Sequence, residues 1–76
     1  MYWVNRTEIE PEKVKKLPLG TEVHLEWTDR HGELTWIEGT VIQSGKKKKL
    51  AYYDGFQRET KDIKAYPNKK WTISSN

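Results

Sequence analysis

Residues 51–56, AYYDGF, place Tyr52, Tyr53 and Phe56 around an Asp-Gly turn, in a chain with only nine aromatic residues (four Trp, four Tyr, one Phe). Rings gathered at a bend either fill a small core or line a site for something flat or cationic, because a ring face attracts positive charge. The other residues capable of chemistry point away from catalysis. His24 and His31 are not at metal-ligand spacing, and His31 falls in a turn. No nucleophile has a placed base. The five glycines are scattered, with no phosphate-binding loop among them. Cysteine is absent, which excludes disulfides and thiolate metal sites. The sequence therefore predicts a protein that is not an enzyme and needs no cofactor.

The elements that would hold these rings form a single small domain. The chain has 76 residues, 34% of them hydrophobic and 33% charged. A chain of this size buries only about 60% of the surface that its unfolded form exposes, so the core must be thin. Large Trp and Tyr side chains compensate by supplying much apolar area per residue. No stretch approaches the roughly 20 apolar residues that span a bilayer.

Three segments are expected: an arm over 1–19, a folded unit over 20–67 and a polar tail over 68–76. The arm carries either one short helix from Pro11 to Pro18 or no regular structure. From Thr21 the pattern turns to period two. TEVHLEWT sets Val23, Leu25 and Trp27 against Glu22, His24 and Glu26, a half-buried strand. LTWIEGTVIQ follows the DRHGE turn and sets Ile37, Gly39 and Val41 against Trp36, Glu38 and Thr40. Its central glycine marks a bend or bulge. SGKKKK forms the next turn, LAYYD a third strand and FQRET a fourth. KDIKAYP then makes one helical or 3₁₀ turn before a last short strand. Four or five such strands predict an all-β fold, a small antiparallel barrel or sandwich. Its core is expected to hold Val23, Leu25, Ile37, Val41, Leu50 and Ile63. Trp27 shares their face and serves equally well as core. Trp36 lies opposite Ile37 and Val41, where a core has less use for it. Tyr53 is expected to be structural, and Tyr2, Trp3, Tyr66 and Trp71 to cover the barrel ends or to pack arm against tail.

The motifs HLEWTD, WIEGTV, AYYDGF and KDI stand in the order and at about the spacing of a Tudor domain. Over residues 20–67 the chain resembles that family, the SH3-like barrels of the Royal superfamily, and in motif the Tudor domains of Polycomb-like chromatin proteins. The resemblance implies a five-stranded antiparallel SH3-like barrel, here preceded by a flexible or weakly structured N-terminal arm. It also implies an open aromatic cage for a methylated lysine or arginine. Carried over by position, the walls are Trp27, Trp36, Tyr52 and Phe56, with Asp54 facing the cation. The expected partner is a methylated peptide such as a histone tail, read by a monomer in the nucleus. The physics agrees, since a trimethylammonium group is poorly served by hydrogen bonds and well served by ring faces, at about 0.5–2 kcal/mol for each.

Charge supplies the alternative. The net charge is +3, and Lys46, Lys47, Lys48 and Lys49 fall in a predicted hairpin turn. A charge run of this kind is either a solvated loop or, if the fold adds Lys61 and Lys64, a basic surface for nucleic acid. SH3-like barrels at the C-terminal ends of retroelement integrases bind nucleic acid.

Overall fold

The computed structural model describes the backbone of residues 5–75 and the side chains of residues 6–74. It is all-β, with β1 Asn5–Ile9, β2 Glu22–Thr28, β3 Leu34–Ser44, β4 Lys47–Tyr53, β5 Arg58–Asp62 and β6 Trp71–Ser75. A short helix, α1 (Pro11–Val14), follows β1, and a 3₁₀ turn (Ile63–Ala65) follows β5. The strands form one sheet in the order β1-β6-β2-β3-β4-β5, antiparallel at every pairing. Two expectations are corrected here. The sheet has six strands instead of five, and it does not close, because β1 and β5 end it without pairing to each other.

The sixth strand comes from the arm. Asn5–Ile9 pairs along its length with β6, from Asn5↔Ser75 to Ile9↔Trp71. Pro11 then starts α1 at a position where its missing N–H costs no hydrogen bond. The helix is one turn long and is held by Val14, which is wholly buried. Residues 5–14 are thus part of the packed unit and not a loose arm. Tyr2 and Trp3 lie outside the described residues.

One face of the sheet curls around the core. Val14, Val23, Leu25, Val41, Leu50, Ile63 and Trp71 have no exposed surface and form one cluster. Five of the six expected core residues are among them, while Ile37 is half-buried and packs against the cluster from outside. Trp71, expected in a polar tail, is the largest core side chain. Its indole N–H donates to the Tyr66 carbonyl at 3.1 Å, so the buried donor is satisfied. On β2 the alternation fails at His24, which is only 2% exposed although it faces away from this core. Its Nε2 lies 3.1 Å from Glu22 Oε1, and its cross-strand neighbour Thr72 is buried too.

Gly39 lets β3 serve two partners. Residues 34–40 pair with β2, whereas only 39–44 pair with β4. At Gly39 the β4 backbone presses so close that a Cβ would sit 2.9 Å from Leu50 Cδ1 and 3.0 Å from the Ala51 carbonyl carbon. The expected mid-strand bend is therefore a close approach of two backbones, which glycine alone permits. Beyond it, the first half of β3 runs on with one edge uncovered among the described residues.

Candidate functional site

The aromatic cluster lies at the rim of the core. Trp27 stands two residues beyond the buried Leu25 on β2, and Tyr52 two beyond Leu50 on β4. Strand periodicity puts each on the core face, one layer further out, and both are half-buried. Tyr66, just after the 3₁₀ turn, adds a third ring. It meets Trp27 edge to face, with centroids 5.3 Å apart and planes at 74°, the arrangement that ring quadrupoles favour.

These rings surround a cation. The Lys61 ammonium lies 4.0 Å from the Trp27 centroid, 5.5 Å from Tyr52 and 5.6 Å from Tyr66. Lys61 reaches them because it pairs with Leu50 and so points from β5 to the core face. Lys69 approaches Trp27 as well, at 5.3 Å.

Beside this cluster opens a cleft of about 530 Å³, walled by Trp27, Ile37, Tyr52 and Lys61 and rimmed by Trp36, Glu38, Tyr53 and Asp54. Trp36 comes to it from the other face of β3, where it pairs with Glu26. The Arg6 guanidinium lies 4.9 Å over the Trp36 ring and bonds Glu38 at 3.1 Å. The first strand is thereby tied to the cleft.

Of the five residues expected to form a cage, Trp27, Trp36, Tyr52 and Asp54 line this cleft and Phe56 does not. Phe56 is 92% exposed. The sequence puts it at the start of the fourth strand, but that strand begins only at Arg58. Asp54 extends the turn instead: its Oδ1 accepts the N–H groups of Phe56 at 2.8 Å and Gln57 at 2.9 Å. Those two bonds, the one from Gln57 first, hold its carboxyl below the ordinary carboxylate range. Tyr53 is not the structural residue expected, being 66% exposed on the face opposite Tyr52. Tyr66 and Lys61 join the site without having been read as part of a cage from the sequence. The available signals are the inward parity of Lys61 and the position of Tyr66 at the end of a 3₁₀ turn.

The lysines divide. Gly45 and Lys46 make the β3–β4 turn, whereas Lys47, Lys48 and Lys49 belong to β4 and not to a loop. Lys46, Lys47, Lys48 and Lys64 line a recess of about 130 Å³ together with Lys15 and Asp62. Lys49 is not among them, and Lys61 is with the aromatic rings. Asp62 caps the 3₁₀ turn by accepting the Lys64 N–H at 3.0 Å and meets Lys47 at 3.4 Å. The Lys64 N–H, and after it Lys47, keep its carboxyl below the ordinary range.

No family model matches the chain, and no curated protein and no solved structure matches it either.

Proposed function

We propose that the chain is a non-catalytic binding module that takes a methylated lysine or arginine of a peptide, such as a histone tail, into the cleft beside Trp27 and Tyr52. One observation carries this reading: Trp27, Tyr52 and Tyr66 already converge on an ammonium, that of Lys61. A quaternary ammonium fits such a place better than a primary one. It has no N–H to leave unpaired among rings, whereas Lys61 keeps part of its surface in water. The strand order β6-β2-β3-β4-β5, with a 3₁₀ turn before β6, supports a Tudor-type SH3-like barrel in open form, with β1 added at one edge. A nuclear, chromatin-bound role for a monomer follows from that resemblance.

The test is an amide and indole shift titration with trimethyl-lysine and unmodified versions of one peptide. The methylated peptide is expected to bind in the micromolar range or weaker and to shift Trp27 and Tyr52, while the unmodified one barely moves them. Trp27→Ala should weaken binding at least about tenfold, the scale of one desolvated cation–ring interaction. Lys61→Ala should strengthen it several-fold, because the incoming cation no longer displaces a resident one. Equal shifts from both peptides, or none at Trp27, would refute the reading.

A second reading is favoured by the basic recess. Lys15, the run Lys46 to Lys48 and Lys64 come from three separate segments and line one recess, where Asp62 is the one acidic lining residue. This suits phosphates of a nucleic acid. Replacing Lys46, Lys47 and Lys48 with Ser should flatten the dependence of binding on salt, by about 0.7–0.9 log units per log salt for each phosphate that is no longer neutralised. Unchanged binding to a short duplex would return the lysines to plain surface.

A further inference from the structure

We infer that the bound peptide adds to the sheet as an extra strand along the uncovered half of β3, pairing with the main chain of Trp36. The inference rests on the cation-binding reading of the cleft and deepens it.

Register decides which backbone groups face the cleft. Val41 exchanges bonds with the β2 side: its N–H donates to Thr21 and its carbonyl accepts from Gly20. Asp29 N–H likewise donates to the Glu33 carbonyl. Backbone direction alternates along a strand, so Thr35, Ile37 and Gly39 also turn toward β2. Leu34, Trp36 and Glu38 turn the other way. Beyond Gly39↔Tyr52 there is no β4 rung to receive them. The Trp36 N–H and carbonyl therefore meet no strand among the described residues, and they open on the cleft that Trp36, Ile37 and Glu38 line. An edge of this kind is a template for an added strand.

The occupant is an extended peptide carrying a cationic side chain. Glu38 and Asp54 stand on the rim of the cleft, and Trp36 already carries a guanidinium on its ring. Antiparallel pairing is the pattern of every ladder in the sheet. In that pairing a peptide residue bonded to Trp36 shares its outer face. The next residue, opposite Ile37 or Thr35, then sends its side chain to the core face, toward Trp27 and Tyr52. The residue that fills the aromatic site thus has its own N–H directed away from β3, and a neighbour makes the main-chain bonds.

The experiment uses the full chain, a short trimethyl-lysine peptide, and versions N-methylated at the trimethyl-lysine or at either neighbour. N-methylation at the trimethyl-lysine should be tolerated. At the neighbour paired with Trp36 it should cost about tenfold in affinity, the scale of a hydrogen bond removed. In hydrogen exchange, Thr35 and Ile37 amides should be slow in the free chain, and the Trp36 amide should slow only when peptide is bound. Tetramethylammonium, which has no main chain, separates this idea from the one beneath it. If it still shifts Trp27 while all N-methylated peptides bind alike and Trp36 exchange is unchanged, the added strand is overturned and the aromatic site stands. If neither tetramethylammonium nor peptide shifts Trp27, both fall.

Discussion

Trp71→Ala is expected to remove most of the stability of the fold. The side chain is wholly buried, lies opposite Leu25 on β2 and Ile9 on β1, and bonds the Tyr66 carbonyl. It therefore joins the first strand, the last strand, the central sheet and the 3₁₀ turn in one residue. Truncating a buried aromatic to Ala costs about 3–5 kcal/mol. At roughly 0.05–0.15 kcal/mol per residue, a chain of this length has only about 4–11 kcal/mol in total. Trp71→Phe keeps much of the packing and gives up the hydrogen bond, worth about 0.5–1.5 kcal/mol, so it should remain folded. Urea titration followed by circular dichroism checks both. A Trp71→Ala variant within about 1 kcal/mol of the parent would show that the core does not depend on this ring.

The second large effect is expected at Gly39. A methyl group there would collide with the Ala51 carbonyl and with Leu50, and one of those obstacles is backbone that cannot rotate away. Overpacking of this kind costs about 1–3 kcal/mol or more, and relief requires β4 to separate from β3. Because Gly39 pairs with Tyr52, the separation carries Tyr52 out of the aromatic site. Gly39→Ala should then lower the melting temperature and weaken cation binding together, whereas a surface glycine in open space, such as Gly32, should affect neither binding nor the β3–β4 amides. A Gly39→Ala protein with parental melting and binding would contradict the close approach.

These two residues also show how much of the fold is legible in the sequence. The break in alternation at Gly39 is visible because β2 and β3 write their inward faces in Val, Leu and Ile. The same alternation makes Val23, Leu25, Val41 and Leu50 readable as core. β1 is not readable, because Asn5–Ile9 contributes one apolar residue and joins the sheet through main-chain bonds that any sequence can make. Trp71 is hidden by the polar residues around it in a short segment. The site divides in the same way. Trp27 and Tyr52 follow from period two, but the position of Lys61 among rings from β2, β4 and the 3₁₀ turn depends on how separate segments meet. Phe56 fails for a local reason: Asp54 captures the next N–H groups and lengthens the turn by residues that the sequence pattern gives to a strand.

The pairing of β1 with β6 has a mechanical consequence. Asn5 lies opposite Ser75 and Ile9 opposite Trp71, so the outer ends of the two strands are side by side. A pull on the segments leading into β1 and out of β6 does not shear this ladder; it peels it, loading one rung at a time. Rungs opened singly yield at low force, and Arg6 sits on the second of them. Its release frees Glu38 and uncovers the Trp36 ring while Trp71, at the far end of the ladder, still holds the core. Tension on the flanking chain thus reaches the rim of the cleft before it reaches the fold.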